Sequence, residues 1–193
     1  MIPHPIVEAA AEGRLPEWAA VGPTRREHIE RVAELLDSWA VTLDLEDDER
    51  RRWRSVGFLH DVLREADPEA LRDRVSPDLA RLPRPVLHGP AAAERLRVEG
   101  VRDGELLRAV AFHTIGDAGL GRLGRALYSA DFLEPGRSFL HEWRTSLRER
   151  MPEDLDAVCL EVAGARIRNL LERGSSLLPQ TVGFWNALVG ERS

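Results

Sequence analysis

Apolar residues recur at three- and four-residue spacing almost from one end of this chain to the other, with no sustained alternation of apolar and polar positions. The first spacing belongs to one face of an α-helix and the second to a half-buried strand. The pattern therefore predicts an all-α fold, a bundle of helices joined through their apolar stripes. At 193 residues the chain fits one domain of ordinary size, or one domain with a short appendage.

The first long helix is expected in "PTRREHIERVAELLDSWA", with Thr24 and Glu27 as a capping-box pair and Ile29, Val32, Leu35, Leu36 and Trp39 as its stripe. Residues 1–22 precede it as an extension, an extra helix or a lid, and residues 23–193 form a single domain. The next helix runs through "DDERRRWRSVGFLHDVLRE", capped by Asp47 or Asp48, and "DPEALRDRV" starts a short one capped by Asp67. "HGPAAAERLRVEG" places His88 just before a helix start, Pro90 in its first turn and Gly100 at its C-terminus. "DGELLRAVAFHT" follows, then the Gly-rich loop "IGDAGLG" and the helix "RLGRALYSADFLEP", which Pro135 ends. Three more helices are expected: near 139–150, across 153–173 closing at Gly174, and in "PQTVGFWNALVG".

Composition removes several functions. Hydrophobic residues make up 43% and charged residues 31%, a globular balance, and the net charge of −6 argues against a broad nucleic-acid-binding face. All 27 basic residues are Arg, so Schiff-base chemistry and the lysine-bearing phosphate loop are excluded. The single Cys159 allows no intrachain disulfide and reads as a buried thiol. The N-terminus lacks a basic stretch followed by an apolar one, and no apolar run reaches the roughly 18 residues of a membrane span. A cytoplasmic protein with neither membrane nor nucleic acid as partner is expected.

Six residues do not fit a plain helical core. His28, His60, Asp61, His88, His113 and Asp131 fall at or beside inward faces and helix starts, in the order H…HD…H…H…D. Gaps of 32, 27, 25 and 18 residues put each group on a different helix. They can meet only if those helices pack around one centre. Imidazole and carboxylate alone describe a hard-to-borderline metal site. The set exceeds what one catalytic zinc takes, typically three protein ligands and a water, and suits two metals sharing a carboxylate. Asp61, beside His60, is the natural bridge.

The segments "REHIERV", "GFLHDVL", "VLHGPAAA", "AVAFHTIGDAGLGRLGRALYSADFLEPGR" and "LPQTVGFWNALV" resemble the HD-domain metal-dependent phosphohydrolases, and within them the YqeK-type branch of symmetrical diadenosine tetraphosphate hydrolases. The resemblance runs from about residue 24 to about residue 189. It implies an HD-domain helical bundle around a dinuclear centre, commonly iron, with His28, His60, Asp61, His88, His113 and Asp131 as ligands and Asp61 bridging. It implies a small-molecule dinucleoside polyphosphate as substrate, cleaved to two ADP by hydroxide generated between the metals. The oligomeric state stays open, a homodimer included. Arg64 and Arg137 are the expected charge stabilisers of the catalytic step. Arg64, Thr114, Glu134 and Arg137 are the expected substrate contacts, with Glu134 also placed to orient a ligand.

Two positions depart from the family. Lys is usual where this chain has Arg64, and a basic residue is usual in the loop where it has Asp117. Arg retains its proton, so Arg64 is expected to supply charge and not a proton. An acid at position 117 facing a polyphosphate would be unfavourable. That keeps open a phosphatase or phosphodiesterase acting on another nucleotide, a nucleoside monophosphate or a cyclic nucleotide. A non-catalytic nucleotide sensor is the remaining alternative, though all six ligand positions are filled. The five Trp residues read as core or interface, with one of them free to stack on an adenine.

Overall fold

Helix α2 (Pro23–Thr42) and helix α3 (Asp47–Leu59) form the most extensive helix pair, and one missing side chain sets their separation. A Cβ at Gly57 would lie 2.5 Å from Ala33 Cα, so only glycine lets the two backbones approach this closely. Ile29, Val32, Ala33 and Leu36 of α2 and Trp53, Val56 and Leu59 of α3 are buried in the seam between them and the rest of the core. Gly57→Ala must push the helices apart. It is expected to cost about 2–3 kcal/mol, roughly 5–10 °C in melting temperature for a chain of this size, in a thermal scan followed by circular dichroism.

The computed structural model describes residues 4–137 and 139–191. Ahead of α2 lies α1 (Pro5–Ala11), which packs on α3 and buries Val7, Ala10 and Ala11. Of the 1–22 extension, residues 1–3 lie outside the described residues. After α3 the order is α4 (Pro68–Arg72), two 3₁₀ turns (Leu79–Arg81 and Arg84–Val86), α5 (His88–Val98), α6 (Gly104–Phe112) and α7 (Arg122–Leu133). It ends with α8 (His141–Arg150), α9 (Leu155–Glu172) and α10 (Pro179–Gly190). Among the described residues there is no strand, and the fold is all-α as expected. No helix among them is long and apolar enough to cross a membrane.

The α5–α6 pair repeats the α2–α3 device. A Cβ at Gly89 would meet Ala111 O at 2.7 Å and Val110 O at 2.9 Å, so glycine lets the start of α5 lie against the end of α6. Helix α7 runs through the middle of the molecule, buried on most of its length from Leu123 to Leu133, and touches α2, α3, α6, α8 and α9. Helix α10 locks the loop after α6. Thr181 donates to Ile115 O at 2.8 Å, and Phe184 packs over Gly116, whose φ of +77° is a conformation glycine holds without strain.

Local caps differ from expectation at two starts. Thr24 and Glu27 do not form a capping box: α2 begins at Pro23, and its N-cap is Gly22, two residues ahead of Thr24. The fixed φ of proline suits the first helical position, and the Gly22 N–H donates instead to Glu65 Oε2 at 2.6 Å. Asp47 and Asp48 lie inside the first turn of α3, whose N-cap is Glu46. Their charge still favours the positive end of the helix. Asp67 caps α4 as expected, accepting from the Glu69 N–H at 3.1 Å. Cys159 is fully buried, and burial pushes its thiol up to about 12.

Candidate metal centre

Each of the four histidines is fixed through Nδ1. His60, the residue after α3, faces Gly57 O at 2.7 Å, and His113, the residue after α6, faces Val110 O at 2.8 Å. His88 opens α5 and faces Pro85 O at 3.0 Å. A carbonyl oxygen only accepts, so each of these Nδ1 atoms carries the proton and each Nε2 is left with a bare lone pair. His28, on the inner face of α2, faces Glu134 Oε1 at 3.3 Å through its Nδ1. Imidazoles held this way by carbonyls and a carboxylate have the arrangement that orients metal-ligating histidines.

The four Nε2 atoms converge on Asp61. Its Oδ1 lies 3.0 Å from His88 Nε2 and 3.3 Å from His113 Nε2. Its Oδ2 lies 3.6 Å from His60 Nε2 and 3.8 Å from His28 Nε2. One carboxylate thus presents one oxygen to each of two histidine pairs. Asp131, in the last turn of α7, adds Oδ1 at 3.2 Å from His28 Nε2. The structure therefore brings His28, His60, Asp61, His88, His113 and Asp131 together, all of them buried.

The cluster is short of positive charge at its centre. His28 Nε2, His60 Nε2 and Asp61 Oδ1 are buried without a hydrogen-bond partner among the described residues. An orphaned buried polar atom costs about 1–3 kcal/mol. His88 Nε2 and His113 Nε2 are 3.1 Å apart with both protons on the far side of the rings, so two lone pairs face each other. The combinations His28–His60–Asp131 and His60–Asp61–His113 each bring ligand atoms within 4.8 Å of one another. Such a donor set fits divalent cations.

Protonation follows the same design. Burial pulls the His60 imidazole down to about 4 and also lowers His88, which keeps both neutral. Burial works against ionising Asp61, yet its carboxyl lies well below the usual carboxylate range, and the Arg25 guanidinium donates to its Oδ2. For Asp131 burial is outweighed by His28, Arg166 and Arg137, with the same result. Burial also disfavours the charged form of His28, yet the Asp131 and Glu134 carboxylates raise it overall.

A cavity of about 510 Å³ opens onto this cluster, with Arg25, Arg31, Arg64, Arg137 and Arg166 in its walls. Arg25 donates to Asp61 Oδ2 at 2.9 Å, Arg137 to Asp131 Oδ1 at 3.0 Å, Arg166 to Asp131 Oδ2 at 2.8 Å, and Arg31 to Glu134 Oε2 at 2.6 Å. Arg64 differs: it donates to Pro85 O at 2.7 Å and has no carboxylate partner among the described residues. Thr114 Oγ1 lies 3.0 Å from His113 Nε2, at the edge of the cluster.

Other expected residues fall as follows. Glu134 lines the cavity with both oxygens engaged, Oε1 by His28 and Oε2 by Arg31 and the Gly136 N–H, the arrangement of a residue that orients a ligand. Those contacts offset burial and hold it down to about 2. Asp117 does not line the cavity. It accepts from Arg108 at 2.6 Å and from the Gly119 N–H at 2.9 Å, which removes the objection that an acid faces the substrate. Among the described residues no Trp lines the cavity, and Phe132 and Phe139 form its aromatic wall. Arg25, Arg31 and Arg166 are further site residues. Arg25 and Arg31 flank His28 at three-residue spacing on α2, the signal that puts them on its face. For Arg166 the signal is a charge within the apolar stripe of α9.

A family model for the HD domain matches residues 25–164. Two relatives named symmetrical bis(5'-nucleosyl)-tetraphosphatase are each 30% identical. The one from Halalkalibacterium halodurans matches over 108 residues, 55% of this chain and 57% of its own length. The one from Staphylococcus aureus matches over 134 residues, 66% of this chain and 64% of its own length. A Bacillus subtilis protein of the same name is 29% identical over 103 residues, 53% of this chain and 54% of its length. The match thus spans less than two thirds of each relative. A crystal structure from Clostridium acetobutylicum, described as a predicted HD superfamily hydrolase involved in NAD metabolism, superposes with a TM-score of 0.77. It is 25% identical, and the alignment covers 89% of this chain and 92% of that one.

Proposed function

The chain belongs to the HD-domain family, and from that membership we propose that it is a metal-dependent phosphohydrolase that splits diadenosine tetraphosphate symmetrically into two ADP. The observation that carries the reading is the position of Asp61, one oxygen toward each of two histidine pairs, at the base of an arginine-walled cavity. The names of the three relatives supply the substrate.

His28, His60 and Asp131 would hold one divalent cation and His88 and His113 a second, with Asp61 shared between them. Cations bound there would supply Lewis acidity and an activated water near neutral pH. The protein's own groups bind and orient. Arg64, without a carboxylate partner among the described residues, brings its guanidinium to the polyphosphate. Arg137 adds a second charge beside Asp131, suited to forked contact with phosphoryl oxygens. Arg166 and Arg25 fix the carboxylates of Asp131 and Asp61 in orientation. Glu134 holds the His28 ring in place. Water adds to one inner phosphorus, the bridging bond between the two inner phosphates breaks, and each half leaves as ADP.

The test is to incubate the purified, metal-loaded protein with diadenosine tetraphosphate and separate the nucleotides. ADP as sole product is expected. AMP with ATP would overturn the symmetrical cleavage, and absence of turnover with metal shown to be bound would overturn the hydrolase reading.

A further inference from the structure

The cavity wall contains two groups that the phosphate chemistry does not use. Phe139 lines the cavity and is 49% exposed, a large aromatic side chain left open next to a polar site. It is not loose. The Arg144 guanidinium carbon lies over its ring, 4.7 Å from the centroid, and Phe132 meets it edge to face with centroids 5.9 Å apart. Arg144 takes one face of the ring, and the side chain lines the cavity while half of it stays exposed. A ring supported from behind and open in front is a stacking surface.

Asn169 lines the same cavity from α9, three residues beyond Arg166 and therefore on the same helix face. It is exposed, and its side chain makes no hydrogen bond among the described residues. A free primary amide carries a donor and an acceptor side by side, the pair that matches N6 and a ring nitrogen of adenine. The Phe132 ring meets Phe139 edge to face, and the guanidinium carbon of Arg166, three residues before Asn169 on α9, lies 5.4 Å from the Phe132 centroid. A nucleotide whose phosphates lie among Arg64, Arg137 and the histidine cluster has this wall within the same cavity for its base.

We propose that Phe139 and Asn169 form a nucleobase subsite, in which Phe139 stacks on the base of a nucleoside polyphosphate and Asn169 reads a donor–acceptor edge of the adenine type. The inference rests on the nucleotide phosphohydrolase reading above and names the part of the substrate that reading leaves unassigned.

Calorimetric titration of the metal-loaded protein with ADP and with inorganic pyrophosphate tests it. Wild type is expected to bind ADP more tightly than pyrophosphate, because only ADP brings a base. Phe139→Ala is expected to weaken ADP by about 5- to 100-fold, the range seen when a stacking aromatic is removed, and to leave pyrophosphate unchanged. Phe139→Tyr should restore the wild-type difference. Asn169→Ala should reduce the preference for ADP over CDP. Phe139→Tyr keeps the ring packed on Arg144 and Phe132 and should melt with wild type, and any loosening of the wall in Phe139→Ala would weaken ADP and pyrophosphate alike. Equal affinities for ADP and pyrophosphate in wild type, or equal losses for both in Phe139→Ala, would overturn the subsite. Symmetrical cleavage of diadenosine tetraphosphate would stand untouched by either result. Failure of wild type to bind either probe would remove the phosphohydrolase reading and the subsite with it.

Discussion

Asp61→Asn is expected to lower turnover by roughly 10³-fold or more and to strip the protein of metal, while its helix content stays that of wild type. The substitution keeps volume and shape and changes only charge and one donor. Asp61 Oδ1 sits 3.0 and 3.3 Å from His88 and His113, and Oδ2 sits 3.6 and 3.8 Å from His60 and His28. An amide nitrogen in either position points its protons at the lone pairs of one histidine pair. One half of the centre is then blocked, whichever way the amide turns. The fold should survive because the rest of the core is untouched. His60→Ala should give the same joint loss by removing a ligand. Elemental analysis, product chromatography and far-ultraviolet circular dichroism on each purified variant give the three readouts. A variant with normal metal content and half of wild-type turnover would mean that the centre lies elsewhere.

Arg144→Met should produce the largest loss of stability, about 3–5 kcal/mol, or roughly 6–15 °C in melting temperature. Arg144 on α8 is fully buried and has no carboxylate partner among the described residues. Burial pulls it down to about 10, which leaves it cationic at neutral pH. Its guanidinium donates to Phe132 O, to Glu134 O at 3.3 Å and to Arg137 O at 3.1 Å, while Arg148 takes Leu133 O at 2.7 Å. The last carbonyls of a helix have no partner within it and carry partial negative charge. Two arginines of α8 therefore finish α7 and hold the turn that carries Glu134 and Arg137. Methionine fills most of the volume but leaves those carbonyls buried and bare. Denaturant unfolding would measure the loss, and a change below 1 kcal/mol would show that water can replace the guanidinium. Turnover should also fall, since the turn that orients His28 and presents Arg137 loses its anchor.

The helices and the six-residue cluster were legible in the sequence because both depend on periodicity. An apolar stripe and a polar residue in phase with it are one-dimensional facts, and His28 or Asp131 announces itself by standing where leucine is expected. The arginines were not legible on the same terms. In a chain with 27 of them, a charge on α2 or α9 carries nothing but its helical phase, and packing is what shows that Arg166 faces Asp131. Asp117 misled for the opposite reason. Its loop was placed correctly in the chain, but its partner Arg108 lies on α6, one fold of the backbone away. The start of α2 failed locally, where a rigid proline at the first position overrode a Thr–Glu pair one residue later. Phe139 gave no signal at all, since an aromatic residue in a loop acquires meaning only when something supports one of its faces.

His60 and His113 each stand one residue beyond the end of a helix, tied by Nδ1 to the carbonyl three positions back. Inserting or deleting one residue within α3 or α6 would rotate everything beyond it by about 100° and carry the imidazole to the wrong side of the bundle. The connections between the helices face no such restriction, because loop length changes closure entropy only slowly. Length variation compatible with this centre is therefore confined to places such as the stretch from Ala66 to Leu82. The distances along the chain from Gly57 to His60 and from Val110 to His113 behave as fixed rulers.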